Sequence, residues 1–216
     1  VNELTVAVLF RNNKNLVAPF FYFLRRATSI KLNVIALDNG STDGTSEEIE
    51  KYYGKNDRLI RLGNNIGTSK GRNVILNDKM ERDGKYGDIL FIDSDVFIIK
   101  NGSIDNIVKD VADIVGVKIK SFWEGNFITE GGICCCLIRE KVWDELKKFN
   151  EEYFNYYDDS DFFKRARKNN FTFSLCKKAE VLHVWGATNI LGTEKDTRVE
   201  SLKKDKAIFE RDWGSE

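Results

Sequence analysis

The chain is short of several things, and each shortage narrows what it can be. Neither sign of charge dominates: 34 Lys and Arg face 34 Asp and Glu. That balance argues against a basic nucleic-acid binder and against an acidic tail. No apolar stretch approaches the roughly 18 residues of a membrane span, and no signal peptide is legible. Proline occurs once, at Pro19, and no repeat, low-complexity tract or linker breaks the sequence, so a single domain over residues 1–216 is expected. Cysteine is scarce and oddly placed, at 134, 135, 136 and 176. Three in a row lack the spaced pairs of a zinc site. On a strand, Cys134 and Cys136 share one face and Cys135 the other, which reads as small buried apolar residues kept reduced in a cytosol.

What remains is ordinary in bulk, with 42% hydrophobic and 31% charged residues, enough for one well-buried core. Leu4 to Phe10 reads as a first strand and Leu16 to Ala27 as a helix with Pro19 in its first turn, where proline is tolerated. Lys31 to Leu37 is a second strand. Thr45 is expected to cap a helix to about Tyr53, with Glu48 as capping-box partner. Arg58 to Leu62 is a third strand, Gly71 to Met80 a helix, and Ile89 to Ile92 a fourth, continuously apolar strand. Beyond it, helices are expected at 104–113, 141–149 and 161–168, and strands at 114–120, after Gly131-Gly132 through Ile138, at 171–175 and at 181–184. Residues 194–216 are charge-rich, with Ile208, Phe209 and Trp213 as anchors. Strands alternating with helices predict an α/β fold, a Rossmann-like and mainly parallel sheet flanked by helices, with a smaller second region.

In such sheets ligands bind beyond the carboxyl ends of strands, and polar residues recur there: Arg11-Asn12, Asp38-Asn39 and Asp93-Ser94-Asp95. The last is the most informative. Two carboxylates spaced i, i+2 at the rim of a buried strand are costly unless a cation compensates them. Hard oxygen ligands of this kind suit Mg²⁺ or Mn²⁺ on a phosphorylated ligand. The segment Asp38 to Thr45, rich in small residues, lets a ligand approach the backbone, and Asp38 can accept hydrogen bonds from a base or ribose. A calcium-loop reading of Asn39, Ser41, Asp43, Gly44 and Glu50 is disfavoured because a strand, not a helix, precedes it. Asn65 to Asn73 couples a glycine turn to a helix start, where backbone amides and Arg72 could meet a nucleotide. Asp158, Asp159 and Asp161 precede a basic helix. One of them could serve as a general base, and Asp161 is the expected helix cap. His183, the only histidine, ends a late strand.

Together these segments resemble family 2 glycosyltransferases, nucleotide-sugar-dependent enzymes of the GT-A fold. The match runs in order through Asp38 to Gly44, Asn65-x-Gly67 with Gly71-Arg72-Asn73, Asp93-Ser94-Asp95 as the DxD motif, Gly131-Gly132, Phe149 to Asp161, and His183. Phe209 to Gly214 looks like a common ending. The resemblance implies a donor-binding half over 1–100, with Asp38, Asn65, Gly67, Arg72, Asp93 and Ser94 as nucleotide-sugar contacts. It implies Mn²⁺ or Mg²⁺ near Asp93, Asp95 and His183. An acceptor half over 101–216 would carry Asp159 as general base, with Asp158, Gly132 and Trp185 on the acceptor side. The implied reaction is metal-dependent transfer of a hexosyl group, with inversion, from a nucleoside-diphosphate sugar to a saccharide or lipid-linked acceptor. The implied place is the cytoplasm, peripheral to a membrane if the acceptor is a lipid. Asp158-Asp159 stands where the family usually has Glu-Asp, which leaves the base one position open. The chain also lacks the long C-terminal extension or membrane helices of some relatives.

Two other readings stand beside this one. A haloacid-dehalogenase-type phosphatase also carries DxD after an apolar strand, but usually after the first, and here three precede it. A non-catalytic sugar-nucleotide or carbohydrate-binding protein on the same scaffold would be favoured by loss of the base, yet Asp159 is present. Trp123, Tyr156, Tyr157 and Trp185 could stack on sugar rings or pack in the core.

Overall fold

The computed structural model describes residues 3–121, 132–184 and 195–214. Among them lie eight strands and seven helices. The strands are β1 (Glu3–Phe10), β2 (Lys31–Asp38), β3 (Arg58–Arg61), β4 (Ile89–Ile92), β5 (Val96–Ile98), β6 (Ile114–Ser121), β7 (Cys135–Ile138) and β8 (Phe173–His183). The helices are α1 (Lys14–Arg26), α2 (Thr45–Glu50), α3 (Thr68–Asp83), α4 (Ser103–Lys109), α5 (Glu140–Leu146), α6 (Asp158–Lys168) and α7 (Lys195–Trp213). Gly131, Trp123 and Trp185 lie outside the described residues.

One mixed sheet runs in the order β3-β2-β1-β4-β7-β6-β8-β5. Its first four strands are parallel, as the alternating pattern predicts, and β7 runs antiparallel to both β4 and β6. The period of two in β1 decides its packing. Leu4, Val6, Val8 and Phe10 face one core with α1, α2 and α4, whereas Ala7 and Leu9 face another with α3, α5 and α6. The second core is aromatic: Phe149 and Phe162 lie 4.8 Å apart between ring centres, with Trp143 and Phe91 against them. α3 presses closely on β1, since a Cβ at Gly71 would stand 2.6 Å from the Leu9 side chain.

Several local expectations are corrected. α1 begins at Lys14, so Pro19 sits inside the helix rather than in its first turn. The early start comes from outside the helix: Asp43 accepts the Lys14 N–H at 3.1 Å. Thr45 is not a cap. It is the first helical residue of a helix that ends at Glu50 and is capped by Gly44, while Glu48 pairs with Lys51. α6 starts at Asp158, three residues early, because Tyr157 takes a left-handed φ of +62° as its N-cap. Asp161 therefore does not cap; it accepts hydrogen bonds from Arg165 Nε at 2.9 Å and Trp213 Nε1 at 3.0 Å. The two late strands are one, β8. Opposite Val117 and Ile119 of β6 stand Cys176 and Val181, so Lys177 to Glu180 form a bulge that interrupts the pattern without ending the strand. The charge-rich end is a helix, α7, whose Phe209 is buried.

The four cysteines are buried free thiols, as their apolar surroundings require. Burial pushes the Cys136 thiol up to about 12 and the thiols of Cys134 and Cys135 well above their ordinary value. No described helix is long and apolar enough to cross a membrane.

Candidate active site

The parallel strands β1, β2, β3 and β4 end along one edge of the sheet, and the polar segments meet there. After β2 the chain turns on its own side chains. Asp38 is buried and accepts the Ser41 N–H at 2.8 Å and the Ser46 hydroxyl. Asn39 reaches across to the next turn, donating to Asn65 Oδ1 at 3.0 Å and the Gly67 carbonyl at 3.1 Å and accepting the Ile66 N–H at 3.0 Å. Asn65 accepts the Gly67 N–H at 2.9 Å. Gly67 has a φ of +86°, and a Cβ there would collide with the Phe154 carbonyl. Asn65 and Gly67 thus shape the wall of the cleft from the backbone outward.

The DxD tripeptide bridges two distant places in the sheet. Asp93 leaves β4 and donates its N–H to the Cys134 carbonyl at 2.9 Å. Ser94 is buried against Asn13, whose side-chain amide donates to its hydroxyl. Asp95 then leads into β5, which pairs with β8 at the far border of the sheet. There Asp95 Oδ1 stands 3.2 Å from His183 Nε2. The strand register brings Asp95 to the only histidine, Val96 lying opposite His183.

Arg72 joins the DxD segment to the acidic turn. It is buried on α3, with its guanidinium paired to Asp158 and 3.6 Å from Asp93, and 5.5 Å above the Phe149 ring. Thr68, one turn earlier, donates its hydroxyl to Asp158 at 3.3 Å. Asn73, the next residue, holds residue 149 by two hydrogen bonds, to its carbonyl at 3.0 Å and from its N–H at 2.9 Å. Sequence reasoning placed Arg72 on the nucleotide. In the structure its guanidinium faces two carboxylates, Asp158 and Asp93. Asp159, half-buried, lies beside Gly132: a Cβ at Gly132 would stand 2.9 Å from Asp159 Oδ2. Thr68, Asn39 and Asn13 were missed, because nothing in their own sequence neighbourhood tells which distant group they meet.

Three carboxylates, Asp93, Asp158 and Asp159, feel one another's charge around the Arg72 guanidinium, and Asp95 adds its charge at Asp93. Asp93 keeps 40% of its side chain open to the cleft, yet protein atoms surround it on the other sides. Loss of water raises its carboxyl above the ordinary value, Arg72 opposes this, and Asp95 adds to it. Burial likewise raises Asp158, with Arg72 pulling the other way and Asp159 pushing further. Arg72 itself is raised: burial alone would lower it, but Asp158 and Asp93 outweigh that. The surplus of negative charge is suited to a cation. Among the described residues no three His, Cys, Asp or Glu side chains converge as a metal cage. Asp95 and His183 offer two ligand atoms, which fits Mn²⁺ or Mg²⁺ completed by a ligand's phosphates rather than a cage made by protein alone.

The sequence profile of Glycosyl transferase family 2 matches residues 5–176. The chain belongs to this family. No curated protein sequence matches it. Solved structures share the fold. Residues 1–349 of TarS from S. aureus are 20% identical at a TM-score of 0.68, over 97% of this chain and 72% of that one. The mannosyltransferase PcManGT from Pyrobaculum calidifontis, in complex with GDP-Man and Mn²⁺, is 15% identical at 0.68, over 96% and 64%. GalNAc-T7 with UDP, GalNAc and Mn²⁺ is 10% identical at 0.67, over 86% and 44%. The family 2 chain therefore spans less than two thirds of two of these three relatives. At these identities the likeness carries the GT-A fold.

Proposed function

We propose that this family 2 chain moves a hexosyl group from a nucleoside-diphosphate sugar to a hydroxyl of a saccharide or lipid-linked acceptor, with inversion. The observation that carries the proposal is the joining of the DxD motif to the acidic turn through Arg72. That link brings a cation-seeking group and a separate pair of carboxylates to one guanidinium. GDP-Man and UDP in the neighbouring structures support a donor of this class.

In this reading, the half over 1–100 holds the donor and the half over 101–216 meets the acceptor. Asp38 closes the turn that forms the nucleoside wall, with Asn65 and Gly67 beside it, and Asp93 and Ser94 face the sugar nucleotide. Asp95 and His183, with Asp93 near, would hold Mn²⁺ or Mg²⁺. When bound, the cation neutralises charge growing on the diphosphate leaving group. Asp159 takes the proton of the attacking hydroxyl as bond-making to the anomeric carbon proceeds. The anomeric centre has oxocarbenium character at that point, and attack from the face opposite the leaving group inverts it. Asp158 is buried and its carboxylate is occupied by Arg72 and the Thr68 hydroxyl, which favours Asp159 over its neighbour. Gly132 and Trp185 stay on the acceptor side. Four buried thiols suit a reducing compartment, so the proposed place is the cytoplasm, at a membrane surface if the acceptor is a lipid.

The first test is calorimetry with UDP and GDP, with Mn²⁺ and with chelator. Binding should depend on the metal, and Asp95→Ala should abolish that dependence. Equal affinity under both conditions would end the metal role. Binding without turnover on any sugar or lipid-linked acceptor would point instead to a sugar-nucleotide-binding protein.

A further inference from the structure

The turn that carries Asp158 and Asp159 is gripped on its other side by α7. Asp205 is fully buried there. Its carboxylate accepts three successive backbone N–H groups, from Phe154 at 3.0 Å, Asn155 at 2.8 Å and Tyr156 at 2.9 Å. It also accepts the Ser201 hydroxyl at 3.4 Å. Successive amides turned to one side form a concave seat for an anion, and here the chain fills that seat itself. Phe154 is held from the opposite side as well, its carbonyl accepting the Thr68 N–H at 2.6 Å and hydroxyl at 3.2 Å.

The next three residues along the chain give this grip its meaning. Tyr157 adopts a φ of +62°, which a residue with a side chain keeps only where its surroundings enforce it. Phe209, one turn along α7 from Asp205, lies 5.0 Å from the Tyr157 ring. Directly after come Asp158 and Asp159. A buried carboxylate is costly unless its partners require it, and all three of its amide partners lie just upstream of Asp159.

We propose that Asp205 is a positioning residue for the transfer reaction. Acting through the 154–156 amides and the left-handed Tyr157, it fixes where the Asp159 carboxylate stands beside Gly132. It touches neither donor nor acceptor. The inference rests on Asp159 being the base, as proposed above.

Asp205→Asn keeps the size of the side chain, removes its charge and leaves one acceptor oxygen for three N–H groups and the Ser201 hydroxyl. Hydrogen-exchange mass spectrometry of the full chain reads the grip without any assay of activity. Exchange over 154–157 should rise about tenfold or more, the scale of a lost charge-assisted hydrogen bond, while β1 to β4 exchange as in the wild type. Release of nucleoside diphosphate from the donor sugar, with Mn²⁺ and acceptor, should show kcat lowered about tenfold and donor KM unchanged within about twofold. Unaltered exchange in the turn would overturn the proposal. So would exchange accelerated alike over the whole chain, or a kcat that falls only with the folded fraction. If Asp205→Asn does not fold, Ser201→Ala removes a single bond to the carboxylate and should give the same local pattern at about two- to threefold; its absence would be equally fatal. A wild type that releases no nucleoside diphosphate with any acceptor would sink the proposed function, and the exchange pattern would still decide the grip.

Discussion

The turn after β2 and the turn before α6 both bring carboxylates to one cleft, but they are held differently. The first holds its carboxylates partly by local bonds, although Arg11, Lys14 and the 65–67 turn also reach it across 26 to 29 residues. Asp38 accepts bonds from Ser41 and Ser46, and Asp43 from the Thr45 N–H at 3.0 Å, all within a few residues. The second is made by strangers. Arg72 and Thr68 reach Asp158 across 86 and 90 residues, and Asp205 holds 154–156 from α7. Their electrostatics differ in the same way. Partial burial alone would raise Asp43, but hydrogen bonds from the Thr45 hydroxyl and the Lys14 and Thr45 amides lower it below 3.8. Asp158, buried, is raised. Asp43, at the exposed end of the first turn, stays in water and keeps its charge, whereas Asp38 is buried on its Ser41 and Ser46 bonds. The second turn is enclosed by its distant partners, and its charge must be matched inside.

The comparison can be broken most forcefully at the proposed base. Asp159→Asn should lower turnover roughly 10²–10⁴-fold, about 3–5 kcal/mol of barrier, with nucleoside-diphosphate affinity kept. Retained turnover, with loss in Asp158→Asn, would move the base by one residue. Arg72→Met comes next. It leaves Asp158 buried without its partner, and denaturant unfolding should show a loss of about 3–5 kcal/mol. Asp158→Asn in that background should recover part of it. On the first turn, Arg11 donates to the Asn39 and Gly40 carbonyls at 3.2 and 3.0 Å, and Arg11→Met should cost only about 1 kcal/mol. Equal costs would erase the distinction.

Gly67→Ala should cost more than about 2 kcal/mol, because the residue needs a positive φ and would strike the Phe154 carbonyl. Gly84→Ala, with φ of +70° but open space around it, should cost about 1 kcal/mol. The difference, measured by thermal unfolding, isolates the contact between the two turns. Smallest is the response to acid. Asp43 is depressed, so its contribution to stability is complete above 3.8 and lost as pH falls through its folded value. Asp158 is raised, so its contribution is complete below 3.8 and lost as pH rises through its folded value. Acid titration of Asp43→Asn should therefore flatten the fall of stability below pH 3.8; an unchanged slope would deny Asp43 that part.

The same contrast explains what could be read in the sequence. β1 to β4 and the Asp38 turn follow from alternation, short apolar runs and turn chemistry, all of them local. Asp93-Ser94-Asp95 stood out because charge at the end of a buried strand is costly wherever it occurs. That the chain then crosses to β5 at the other border could not be read, since Ile89 to Ile99 is one apolar run apart from those three residues. The start of α1 was missed because Asp43, 29 residues on, supplies its cap. β8 was split because a bulge mimics a turn. Arg72 was recognised as important, but its carboxylate neighbours Asp158 and Asp93 could not be read, for a guanidinium offers itself equally to phosphate and carboxylate. Asp205 looked like one more charge in the charge-rich end of the sequence, and only the packing of α7 shows it buried.

The six residues from Thr68 to Asn73 give α3 an inheritance of its own. In one and a half turns they seat the helix on β1, neutralise Asp158 and hold residue 149. Parts of such a protein cannot be traded singly between relatives. A graft of 149–158 would bring carbonyls and a carboxylate shaped for another helix, and a graft of α3 would arrive without its counterparts. The half of this fold after residue 100 can diversify freely in length and composition only where it leaves that helical turn alone, so the turn should change in company with its distant partners or not at all.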